Sequence, residues 1–194
     1  VHPRMVYISN STEIGTVYSK EELSALHEVC RALDLYFYLD GARLGNGMVS
    51  DCAPLTWTDL TETLDAFTIG GTKNGILFGE ALVITNDALK ADFRSHMKQR
   101  GAILAKGRLL GIQFKAILEE DRYLENARHA NALAQKMQSG MEQLGYTFHV
   151  KSPTNQIFPI LPNTVMEKLQ PLYGFEVQHS VDDAHTCVRF VTSW

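Results

Sequence analysis

Over the first ninety residues, apolar positions fall in short runs separated by amphipathic stretches, a pattern that predicts β-α units around a mainly parallel sheet. Residues 5–9 read as the first strand. Ser19 with Glu22 three positions later forms a capping box, and Leu23, Leu26, Cys30 and Leu33 then recur at helical spacing, which predicts a helix of about four turns. Residues 35–39 are apolar and aromatic but too few for a helix; they predict a second strand that delivers Asp40 to its carboxyl end. Thr58 is expected to cap a short helix over 60–64. Residues 66–69 give a third strand stopped by Gly70 and Gly71, residues 81–85 a fourth, and Asn86 another helix cap.

From 93 to 144 the pattern becomes helical throughout, with Ile103, Leu104, Leu110, Phe114 and Leu118 in one stretch and Leu124, Ala127, Leu133, Met137, Met141 and Leu144 in the next. Gly145 is the expected stop. Strands at 146–150, 156–161, 175–179 and 186–192, with a helix at 164–172, complete an α+β region. The expected fold class is α/β: residues 1–115 as part of a larger domain, and 116–194 as a helical linker with a small C-terminal α+β domain. Met137 and Met141 are expected to pack in the core, and none of the histidines has ligand spacing.

Composition narrows this little further. Of 194 residues, 45% are hydrophobic and 21% charged, which is globular material. The net charge of −4 argues against nucleic acid as a main partner. No apolar run approaches the roughly 20 residues that span a bilayer, so no membrane partner is expected. Cys30, Cys52 and Cys187 are far apart and without a CxxC spacing, which supports neither a disulfide framework nor a metal site and fits a reducing cytoplasm. The chain opens on Val1 and closes abruptly after a β-rich run at Trp194, and is expected to be a piece of a longer protein.

Two glycine-bracketed sites carry chemistry. The run Tyr38-Leu39-Asp40-Gly41-Ala42-Arg43 puts an acid at the carboxyl end of a strand, where open α/β sheets bind ligands. The run Gly70-Gly71-Thr72-Lys73-Asn74-Gly75 puts an amine in a constrained loop after the next strand. It fails as a P-loop because Asn74, not Ser or Thr, follows the lysine. Taken singly, Asp40 reads as a turn acid and Lys73 as a surface amine. Together, on the ends of successive strands, they can face one cavity. An acid for a pyridinium nitrogen and a lysine for covalent attachment are the minimum equipment of a pyridoxal 5'-phosphate (PLP) site.

The runs YLDGARLGN, FTIGGTKNG, QRGAILAKGRLLGIQF and CVRFVTSW, in this order, resemble the low-specificity L-threonine aldolases of the β-eliminating lyase family. The resemblance implies the large domain of a fold-type-I PLP-dependent transferase, PLP as cofactor, and cleavage of L-threonine or L-allo-threonine to glycine and an aldehyde. It implies Asp40 as partner of the cofactor's ring nitrogen, Lys73 as its covalent anchor, and Arg43 and Arg189 at the substrate carboxylate. Arg189 reads alternatively as a strand-edge surface charge. Lys106 is expected to reach the cofactor phosphate, in its own or a neighbouring subunit, and Thr72 either donates to that phosphate or is a buried turn residue. A cytoplasmic homo-oligomer, dimer or tetramer, is implied. Tyr38 departs from the family's H-x-D-G-A-R, and the lysine loop lacks its more frequent serine. The family's glycine-rich phosphate cup and ring-stacking histidine would lie upstream of Val1, so the chain by itself is expected to be inactive. The alternatives are another β-eliminating lyase or an aminotransferase of the same fold, told apart by product, or a non-catalytic assembly module.

Overall fold

The computed structural model describes residues 2–194. Its first sheet contains β1 (Met5–Ser9), β2 (Tyr36–Asp40), β3 (Ala66–Gly70) and β4 (Glu80–Ile84), in that spatial order. β1 to β3 are parallel, and β4 runs antiparallel to β3. Ser9 pairs with Asp40 and Leu39 with Phe67, so the carboxyl ends of the three parallel strands lie side by side. Alternation along β2 buries Phe37 and Leu39 in the core and turns Tyr36, Tyr38 and Asp40 to the other face.

Helix α1 (Lys20–Ala32) connects β1 to β2, and its predicted capping box is present: Glu22 N donates to Ser19 Oγ at 3.2 Å and Ser19 N to Glu22 Oε2 at 2.8 Å. Leu23 and Cys30 are buried, whereas Leu33 lies past the helix end and is exposed, because Asp34 turns the chain with φ of 53°. Two short helices, α2 (Leu44–Met48) and α3 (Trp57–Thr63), join β2 to β3. The cap of α3 is Thr56 and not the expected Thr58. Asp59 stands three residues after Thr56, accepts its N–H at 2.8 Å and donates its own N–H to Thr56 Oγ1 at 3.2 Å. Asn86 caps only a single 3₁₀ turn, Asp87–Leu89.

The predicted helical stretch from 93 to 144 divides into α4 (Phe93–Gln99), α5 (Arg108–Leu118) and α6 (Arg122–Gln143). Ile103 and Leu104 sit in the loop between α4 and α5, and left-handed backbone at Glu120 and Asp121 separates α5 from α6. The most buried face of α6 is also not the expected leucine and methionine stripe. It is Tyr123 with Ala127, the one member shared with the expected stripe, Ala130 and Ala134; the alanines let α6 close on α2, where the Asn46 amide donates to Asn131 Oδ1 at 3.0 Å. Leu133 is exposed, and Met137 and Met141 are half-buried along an apolar groove of about 430 Å³ instead of filling the core. Gly145 ends the helix as expected, with φ of 86°.

The second sheet is antiparallel. It comprises β5 (Thr147–Phe148), β6 (Gln156–Ile157), β7 (Pro159–Pro162), β8 (Glu176–Ser180) and β9 (His185–Val191), with β6 and β7 on one side of β9 and β8 on the other. The expected strand 156–161 breaks at the buried Phe158. Helix α7 (Asn163–Leu169) stops short of 172 because Pro171 has no N–H to continue it. The turn after β1 reaches this sheet, since Ser152 Oγ donates to the Gly15 carbonyl at 2.8 Å. Among the described residues no helix is long and apolar enough to cross a membrane.

Candidate functional site

Asp40 stands at the end of the central strand of the three parallel ones and is half-buried. Its Oδ1 accepts the Ala42 N–H at 2.9 Å, and its Oδ2 accepts the hydroxyl of Tyr7 from β1. The next residue lies hard against β3: Gly41 N donates to Thr68 Oγ1 at 2.9 Å, and a Cβ at Gly41 would stand 1.9 Å from the Thr68 carbonyl oxygen. Only glycine permits that approach. The ends of β2 and β3 are then joined by Gly70 N donating to Gly41 O at 2.9 Å.

Lys73 stands three residues beyond the end of β3. It lines an open cleft of about 370 Å³ with Ala42, Gly70, Gly71, Thr72 and Glu80, so the loop that carries the lysine and the turn that fixes Asp40 share one cavity. Asn74 holds the loop from behind. It is buried, its amide donates to the Tyr123 carbonyl at 2.7 Å, and its own carbonyl accepts the Asn126 amide at 3.2 Å. The Tyr123 hydroxyl accepts Gly45 N–H at 3.2 Å and donates to Gly70 O at 3.0 Å. Burial pushes that phenol well above its ordinary pKa. Thr72 is exposed and accepts the Gly79 N–H at 3.1 Å, so it is not a buried turn residue.

Arg43, at the start of α2, and Arg189, in β9, lie within electrostatic reach of each other. Burial, and after it the positive charge of Arg189, lowers the proton affinity of the Arg43 guanidinium. The Nε atoms of both arginines are buried without a partner. Arg189 is 15% exposed, which removes the reading of a strand-edge surface charge; it donates to Gln156 Oε1 at 3.3 Å and to Glu176. Two converging guanidiniums with unused donors form a receptor for an anion, and their planar forks suit a carboxylate.

Lys106 is not brought to this cleft; it is exposed in the turn before α5. Among the described residues no group of His, Cys, Asp or Glu could hold a metal. Two site residues were not singled out from sequence: Tyr7, and Asn10 just after β1. Asn10 is fully buried, its backbone N–H donates to Asp40 O at 3.1 Å, and its side-chain Nδ2 has no partner. The strand-end rule that selected Asp40 also selects Asn10 when applied to β1.

The sequence model of the family described as beta-eliminating lyase matches residues 1–163. The chain belongs to the beta-eliminating lyase family. This family member is 35% identical over 172 residues to a low specificity L-threonine aldolase of a Pseudomonas species, covering 87% of this chain and 49% of the relative. To the enzyme of the same description from Pseudomonas aeruginosa it is 32% identical over 196 residues, covering 99% and 55%. The solved threonine aldolase of Leishmania major superposes with a TM-score of 0.97 at 43% identity, covering 100% of this chain and 57% of that one. The chain thus spans about half the length of the relatives it matches, and within that span the family and fold expected from its motifs are both found.

Proposed function

We propose that this chain is part of a PLP-dependent carbon–carbon lyase that cleaves L-threonine, L-allo-threonine and related β-hydroxy-α-amino acids to glycine and an aldehyde. The observation that carries the reading is the pairing of Arg43 and Arg189, whose Nε donors are unpartnered among the described residues, with a glycine-lodged Lys73 in a cleft lined by Ala42, the residue whose N–H binds the strand-end acid Asp40. The names of the relatives support the substrate class.

The residues present fit the cofactor. A carboxyl group at the strand ends, a lysine amine in the glycine-bracketed loop, and the Asn10 amide, unpartnered among the described residues, match a pyridine nitrogen, an aldehyde carbon and a ring oxygen. When bound, PLP supplies the electron sink that takes up the charge left at Cα as the Cα–Cβ bond breaks. Asp40 holds a proton on the ring nitrogen by its charge. Lys73 is the covalent anchor. Arg43 and Arg189 clamp the substrate carboxylate bidentately and so orient the bond that breaks. Thr72 and Lys106 serve the phosphate, Lys106 from its exposed turn toward a neighbouring subunit. A homo-oligomer, dimer or tetramer, in the cytoplasm completes the reading; the apolar surface around α5 supports the first part and three free cysteines the second.

The test is reductive trapping. The chain is equilibrated with PLP, reduced with borohydride and digested, and the modified lysine is mapped. Preferential labelling of Lys73 is expected; labelling that merely follows the exposure of the lysines overturns the assignment.

A further inference from the structure

Tyr7 has no packing reason to be a tyrosine. It is 54% exposed, on an edge strand of the sheet, and its ring stacks on that of Tyr38, with centroids 5.5 Å apart and planes 25° from parallel. Its hydroxyl, however, donates to Asp40 Oδ2, across a register that places Tyr7 opposite Tyr38 and two residues short of the Ser9–Asp40 pair. Tyr38 shares the face but not the role, since among the described residues no hydrogen bond joins its hydroxyl to Asp40.

Rotation about the bond to a carboxyl group is soft, so one donor leaves the plane of the group free. Asp40 has two donors from two directions: Ala42 N–H at 2.9 Å on Oδ1 and the Tyr7 hydroxyl on Oδ2. Each oxygen keeps a further lone pair for a cation. We propose that Tyr7 is a positioning residue for Asp40, fixing the plane of its carboxylate toward the cofactor's ring nitrogen. The proposal rests on the reading of Asp40 given above. Consistent with it, the bond to Asp40 holds the Tyr7 phenol above its ordinary pKa.

The variant Tyr7→Phe keeps the ring and its contact with Tyr38 and removes only the hydroxyl. Two measurements follow. The first needs no cofactor. The ultraviolet titration of the chain, minus that of Y7F, isolates the ionisation of Tyr7, and in an Asp40→Asn background that ionisation should fall toward the ordinary phenol range. An unchanged midpoint overturns the hydrogen bond. The second is the PLP concentration that gives half-maximal trapping on Lys73. It should rise about fivefold in Y7F, at least as much in D40N, and no further in the double variant, because the two groups act as one unit. If D40N shifts this concentration and Y7F does not, Tyr7 is a bystander and the reading of Asp40 stands. If D40N leaves it unmoved, the reading of Asp40 fails and Tyr7 falls with it. If Lys73 is not labelled above the other lysines even in the wild type, the assigned function is wrong.

Discussion

Arg43 caps the short helix after β2 and Arg189 sits in the last strand, so the pair exists only once the second sheet has docked on the first. Such a pair is nearly invisible to pattern reading, and both residues entered the candidate site through resemblance alone. Asp40 and Lys73 are different. A strand end and flanking glycines are local signals, and the two adjacent parallel strands bring Ala42, two residues after Asp40, into the cleft that Lys73 lines. Asn10 shows the opposite limit, because an asparagine after a strand reads as a turn residue and its orphaned amide is apparent only from its complete burial. Lysine in place of either arginine would keep the charge and lose the planar fork. In PLP-loaded protein, R43K and R189K should each raise the dissociation constant for L-threonine by about tenfold, measured by calorimetry. A shift in R43K with none in R189K would make Arg189 a structural partner of Glu176 only.

Elements short enough to be set by their own residues were read well, and those set by partners were not. The capping box of α1 and the stop at Gly145 rest on neighbours within a few positions. The break between α4 and α5 was missed because Ile103 and Leu104 continue the apolar rhythm through a loop, and a pattern does not tell an apolar residue on the surface from one in the core. Of the alanine face of α6 only Ala127, which meets Gly45, was expected; Ala130 and Ala134 were missed because alanine scores weakly as apolar. Helix α3 offers a test of an element tied down by charge. Lys20 of α1 lies 2.5 Å from Asp59, and this contact, followed by the bonds from Thr56, lowers the Asp59 carboxyl from 3.8 to about 2. A carboxyl depressed on folding stabilises the fold fully above its unfolded value and loses that contribution as pH falls through the folded one. The difference in melting temperature between wild type and Asp59→Asn should therefore be constant from pH 7 to 5, at about 2–6 °C for a loss of about 1–2 kcal/mol, and should shrink between pH 4 and 2. A difference independent of pH across that window would mean that shape alone matters at this cap.

On the scale of the molecule, two sheets are joined by α6, which packs on α2 and on β6, and by the turn after β1. What they leave open is as telling as what they bury. Among the described residues β1 pairs only with β2 and β4 only with β3, so the first sheet presents two free edges. Met5 and Tyr7 are exposed on one edge strand and Leu82 on the other. Next to the lysine loop, Leu77 is 80% exposed and Phe78, Leu109 and Ile112 add to the same apolar surface, with Leu77 N–H bonded to Gln113 of α5. Unpaired strand edges template association, and contiguous apolar surface drives it. A net charge of −4 on 194 residues opposes it only weakly. The chain alone should therefore self-associate, with a mass by light scattering that rises with concentration. Leu77→Glu combined with Leu109→Glu should lower that mass, since both side chains already face solvent and the change leaves the core untouched. Lys106 lies in the turn that leads into α5, so association through this face would also bring it near a second copy. A single monomeric species across the micromolar range would show that the edges and the α5 surface are self-sufficient, and would remove the neighbouring-subunit route by which Lys106 is assigned to the phosphate.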